Sequence, residues 1–81
     1  MRAKIYIRYK DGILDPQGTT VGHALNSMGF DDINDVSVGK FIEMNFTDIS
    51  KKEAERLTDE CCRKLLSNPN TESYKFEIVE D

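Results

Sequence analysis

Eighty-one residues make a single domain, 1–81, and a chain of that size buries only about 60% of the surface its unfolded form exposes. A net charge of −4, with 32% of residues charged and both signs interspersed, describes a solvated surface and excludes the clustered Lys and Arg of a nucleic-acid footprint. No apolar run approaches the ~20 residues needed to cross a bilayer, and the N-terminus lacks a signal peptide's apolar stretch, so no membrane partner and a cytoplasmic location are expected.

So thin a core borrows stability from disulfides, metal or oligomerisation. The two cysteines, Cys61 and Cys62, are neighbours, which gives no disulfide framework. One histidine and no Cys-x-x-Cys spacing give no metal site. Oligomerisation remains.

The first periodic segment is residues 3–9, where Ile5, Ile7 and Tyr9 alternate with Tyr6 and Arg8; this is the period of a half-buried strand. A helix follows, with Asp15 as its cap and Pro16 at its first position. Val21, Ala24, Leu25 and Met28 form its apolar stripe, and Gly29 stops it. His23 falls about 160° from the stripe centre and should face solvent.

In residues 35–47 the even positions read Val36, Val38, Lys40, Ile42, Met44, Phe46; five of those six are apolar, and the phase never slips. As one strand the segment spans ~43 Å at ~3.3 Å per residue, more than the ~30 Å diameter of a compact domain of this length. Either Gly39-Lys40 turns the chain into a hairpin, or the excess pairs with another subunit. The long strand is the expectation, because a hairpin leaves Lys40 on the buried face of neither arm. An inward lysine fits a strand crossover with its ammonium reaching solvent, or a salt bridge to a partner; both stand open.

Ser50 and Glu53 form a capping box for a second helix, with Ile49 able to staple against Ala54. Its expected inner stripe is Ala54, Leu57, Thr58, Cys61 and Leu65, flanked by Cys62 and Leu66; core packing is expected of both cysteines, with Cys61 in the stripe the less exposed and Cys62 on the flank near Arg63. Asn68-Pro69 ends the helix. Tyr74, Phe76 and Ile78 alternate with Lys75 and Glu77 as a final strand. The order β-α-β-α-β predicts an α+β two-layer sandwich of two helices on a small sheet.

No residues assemble a nucleophile, base and oxyanion site. Asp31, Asp32 and Asp35 match no EF-hand pattern, and Asp15-Pro16-Gln17-Gly18 lacks the spacing and lysine of a P-loop. No catalytic, cofactor-binding or metal-binding residue is expected.

Nearly the whole chain nevertheless resembles the PurS family. Leu14-Asp15-Pro16-Gln17-Gly18 is similar to the family's L-D-P-Q-G, and His23-Ala24-Leu25 with Met28-Gly29-Phe30 to its H-A-L-x-x-L-G-[YF]. Residues 35–40 resemble D-V-x-x-G-K, and residues 62–69 resemble C-x-K-L-L-x-N-P. The chain departs at Cys61, where the family often has Met, and at Asn70-Thr71, where apolar residues usually follow the proline.

The resemblance implies a PurS-like fold related to the ferredoxin-like fold, with a long central strand and an intertwined dimer. It implies the non-catalytic small subunit of phosphoribosylformylglycinamidine (FGAM) synthase, a glutamine-dependent ligase of purine biosynthesis. The implied partners are a second copy (or a tetramer when alone), a PurL-like synthetase subunit and a PurQ-like glutaminase subunit. The assembled complex would use ATP, Mg and glutamine. Asp15, Pro16, Gln17, Gly18, Gly39, Lys40, Ile42, Met44, Asn68 and Pro69 become candidate subunit contacts. Two rival readings are a ferredoxin-like regulatory module binding a small ligand, which requires the Gly39-Lys40 hairpin, and a minor enzyme with Cys62 as nucleophile.

Overall fold

The computed structural model describes residues 1–80. Strand β1 (Arg2–Tyr9) is followed by helix α1 (Pro16–Ser27), β2 (Lys40–Asn45), α2 (Lys51–Cys61) with a π-helical turn (Cys62–Leu66), and β3 (Glu72–Val79). The order matches the sequence expectation. The sheet runs β2-β1-β3 and is antiparallel throughout.

Alternation decides the faces. Ala3, Ile5 and Ile7 of the central strand point to one side and are buried. Ile42 and Met44 of β2 lie opposite Ile5 and Ala3, while Tyr74, Phe76 and Ile78 of β3 lie opposite Ile7, Ile5 and Ala3, so they share that side. Helix α2 covers it, packing over β1 and β3. Ser50 accepts from the Glu53 amide at 3.1 Å, the expected cap, while the Glu53 carboxylate pairs with Arg56.

Burial on α2 follows Ala54, Thr58 and Cys62 at 0% exposure, with Leu66 packed beside them. This corrects the expected stripe: Cys61 is exposed and Leu65 is 83% exposed. A helix inclined across a sheet buries an i, i+4 ridge, which rotates steadily away from a fixed line at 100° per residue. The wide turn closed by Ser67 N–H to Cys62 O at 3.0 Å ends the helix with Ser67 buried.

The extent of β2 within the chain needs correction. The β2 ladder has six residues rather than thirteen, and residues 35–39 pair with no strand of this chain. Pairing with β1 stops at Ile7↔Lys40, where Gly39 crosses so close to β1 that a Cβ would stand 2.5 Å from Ile7 O. There is no hairpin either.

The two helices of the expected α+β fold are both present, and of the two it is α2 that packs on this chain's own sheet. Asp15 caps α1, and Gly29 at φ +96 ends it in a Schellman geometry, Phe30 N–H to Leu25 O and Gly29 N–H to Asn26 O, both 3.1 Å. Yet α1 projects beyond the end of the sheet, and residues 31–39 bring the chain back, which is why β2 returns antiparallel to β1. Eight residues of β1 and twelve of α1 laid end to end measure about 44 Å, close to the 50 Å long axis. The radius of gyration is 16.2 Å, against about 12 Å for a compact chain of this length.

Candidate subunit-contact site

Most of the candidate contact residues converge on the elbow where the α1 arm leaves the sheet. Asp15 is its clasp. One carboxylate oxygen accepts from the Gly18 amide at 2.8 Å and the other from the Val38 amide at 2.9 Å. These N–H groups, Gly18 first and Val38 second, hold the Asp15 carboxyl below its ordinary range. The helix start and the returning strand are thus tied by one side chain, and Pro16 sets the first helical φ.

Gly18 has a steric role. A Cβ there would collide with Val36 O and the Asp15 carboxylate. The returning segment can lie on the first turn of α1 only because position 18 has no side chain.

Gln17, Val38, Gly39 and Lys40 then line a small cavity of about 70 Å³ with Ile7, Tyr9 and Glu72. Lys40 shares the α2 side of the sheet with Ile7, as the alternation required, but its side chain is 63% exposed and its ammonium lies 3.7 Å from Glu72 of β3. The other Glu72 oxygen accepts from the Asn68 amide at 2.8 Å. Lys10 donates to Pro69 O at 2.6 Å. Asn68 and Pro69 are therefore bound to the same elbow by Glu72 and Lys10, a connection their sequence distance hid.

Ile42 and Met44 lie elsewhere, on β2. Because Tyr74 of β3 donates to Asp59 at 2.5 Å, the Asp59 flank of α2 faces β3. The opposite flank, Leu57, Cys61 and Leu65, faces the β2 side. Among the described residues α2 packs over β1 and β3 rather than β2, so Ile42, Met44 and Phe46 stay only half-buried, and the strip above them is an open apolar trough. Much of the α1 stripe is also uncovered by its own chain: Val21 is 38% and Met28 70% exposed, while Leu25 is half-buried.

The thiols differ in kind. Burial, and next the Asp59 carboxylate, push the Cys62 thiol up from its ordinary value, the opposite of an activated nucleophile. His23 is exposed on α1. Among the described residues no group of three or more His, Cys, Asp or Glu is placed to hold a metal ion, and no helix is long and apolar enough to cross a membrane.

Comparison with known proteins is consistent in every direction. Residues 2–80 match the family model described as PurS, phosphoribosylformylglycinamidine (FGAM) synthase. The PurS subunit of Bacillus subtilis is 39% identical over 79 residues, covering 98% of this chain and 93% of that one. Its crystal structure superposes with a TM-score of 0.87 over 98% of both chains. The PurS of Methanocaldococcus jannaschii, described as one of the subunits of formylglycinamide ribonucleotide amidotransferase in the purine biosynthetic pathway, is 33% identical with a TM-score of 0.82 over 98% of both chains. A chain in the structure of PurLQS from Thermotoga maritima is 25% identical, with a TM-score of 0.81 over 98% of this chain and 99% of that one.

Proposed function

We infer the role of this chain from one premise: it belongs to the PurS family, the small subunits of FGAM synthase. The chain is the small subunit of that glutamine-dependent ligase of purine biosynthesis, working in the cytoplasm. It dimerises and bridges a PurL-like synthetase and a PurQ-like glutaminase, holding their two active sites in register so that ammonia from glutamine reaches the synthetase. ATP, Mg and glutamine are used by those partners; this chain's contribution is positional.

The observation that carries the reading is the α1 arm. A helix with an uncovered apolar stripe lies beyond the sheet, while the same chain leaves an apolar trough open over β2. In a two-fold dimer each arm fills the other's trough, and the contacts are reciprocal because both chains carry both halves. Val21, Leu25 and Met28 then meet Ile42 and Met44 below and Leu57, Cys61 and Leu65 at the side. Residues 35–37 run along the arm, while Val38 and Gly39 stay at the elbow of their own chain. The Asp15 clasp, Gly18 and the Gly39–Lys40 crossover fix the angle at which the arm leaves, and so act as dimer determinants without touching substrate.

Reconstitution tests this. Alone, the chain should show neither glutaminase nor ATPase activity, and with both partners it should be required for efficient glutamine-dependent amidine formation. Turnover by the two large subunits that is undiminished without this chain would refute the assignment.

A further inference from the structure

The side of the sheet away from α2 is bare, and its composition is out of keeping with the rest of the molecule. Arg2, Lys4 and Arg8 of β1 and Lys75 of β3 face out there with Glu43 and Glu77, so four cations oppose two carboxylates and leave +2 on this face of a chain whose sum is −4. The charges are also sorted. Glu43 sits opposite Lys4 and 3.5 Å from Arg2, and Glu77 also lies opposite Lys4, so that half is neutralised within the chain. The other half is not: Arg8 lies opposite Ser73 and Lys75 opposite Tyr6.

At the boundary sits an exposed aromatic pair. Tyr6 and Phe41 face each other across β1 and β2, ring centroids 5.2 Å apart, at 40% and 53% exposure. Beside them Tyr6, Arg8, Ser73 and Lys75 line a groove of about 180 Å³. Aromatic anchors with unpaired cations next to a groove are the composition of a protein-binding hot spot.

We propose that this face, centred on Tyr6, Phe41, Arg8 and Lys75, is the docking surface for an acidic patch on a partner subunit of different sequence. The proposal rests on the reading of this chain as a subunit of a larger complex. A second copy is the wrong occupant for two reasons. Face against face, a two-fold contact would oppose unpaired cations. Face against the acidic remainder of another copy is a heterologous contact, which closes only as a ring or else grows without end. Nucleic acid also fits poorly, because Glu43 and Glu77 interrupt any phosphate track and the overall charge opposes approach. An acidic protein surface meets Arg8 and Lys75 as counter-charges, while an apolar side chain enters the groove beside Tyr6.

The test pairs Arg8→Glu, Lys75→Glu with Tyr6→Ser, Phe41→Ser, measured for binding to the glutaminase and synthetase subunits. All four positions are outside the core, so both variants should keep the wild-type circular dichroism and dimer mass. Each should weaken binding at least about tenfold, and the wild-type affinity should fall as salt rises. The neutral pair Arg8→Gln, Lys75→Gln, which adds no repulsion and spares the fold, should give an intermediate loss. Binding within about twofold of wild type, a smaller oligomer in the variants, or saturable binding of single-stranded RNA at ~0.15 M salt would overturn the proposal. Turnover in the same samples separates the two levels. If omitting the chain changes nothing, the subunit reading falls and this inference with it; if the chain is required but the variants bind normally, the docking surface alone is wrong.

Discussion

Asp15 does more for this chain than cap a helix. A carboxylate in the sequence Leu14-Asp15-Pro16 predicts the cap, and the structure gives it, but the second oxygen reaches 23 residues ahead to Val38. Because the folded carboxyl is held below its usual 3.8, the clasp is present above about pH 4 and is lost as acid titrates Asp15 through its lowered value. Amide chemical shifts of Gly18 and Val38 should move together in that acid range, and Asp15→Asn should abolish the joint titration. Gly18→Ala should be worse tolerated than any change at Asp15, since the added methyl meets Val36 backbone. Lys40→Ala should cost under about 1 kcal/mol of stability, because the lysine end of its 3.7 Å ion pair is 63% exposed and the mostly covered Glu72 keeps its bond from the Asn68 amide. A double-mutant cycle with Glu72→Gln checks that value. Should Lys40→Ala instead leave stability intact and weaken assembly, the lysine meets a partner.

Among the elements, α2 shows where reading a sequence succeeds and where it stops. Its start was legible from Ser50 and Glu53, and its end from Asn68-Pro69, because caps and prolines act locally. Its buried ridge was not. Periodicity sums every apolar residue into one stripe, whereas this helix has two rows: Ala54, Thr58 and Cys62 on its own sheet, and Leu57, Cys61 and Leu65 on the flank beside the trough. The same limit hid the length of β2, whose alternation through Val36 and Val38 reads as one strand although only Lys40–Asn45 finds a partner in the chain. The Asn68–Glu72–Lys40 connection was invisible because it joins three segments that only the tertiary fold brings together. The buried thiol offers a check on the ridge. Cys62 is pushed above its ordinary 9.0, first by burial and then by Asp59. Its contribution to stability is therefore full below about pH 9 and declines as pH rises through the folded value. Cys62→Ala should cost about 1 kcal/mol for the lost volume and should flatten the alkaline limb of the stability curve, read from urea midpoints between pH 8 and about 10.

At the scale of the whole molecule, the chain is longer and thinner than its length allows for an independent domain, and its elongation comes from one displaced helix. Such an arm is costly alone: Val21 and Met28 stand in water, and the trough over β2 leaves the core half-covered. Burial at about 25 cal/mol per Å² of apolar surface is recovered only when a second copy supplies the missing layer, so folding and dimerisation should be coupled. The sharpest probe uses residues that the single chain leaves in solvent. Met28 is 70% and Leu65 83% exposed, so Met28→Asp or Leu65→Asp would be nearly silent in a monomer, where surface changes stay within about 0.5 kcal/mol. In the arm-in-trough dimer each buries an unpaired carboxylate, which costs several kcal/mol, and about 4 kcal/mol is a thousandfold in Kd. Light scattering should therefore show these variants dissociating at concentrations where the wild type is dimeric. Because folding is coupled to dimerisation, their urea midpoints should fall well below that of the wild type at equal protein concentration. His23→Asp, on the same helix but off the stripe, should do neither. A Met28→Asp protein that remains a dimer with wild-type stability would show that the arm does not lie in its neighbour's trough, whatever else joins the two chains.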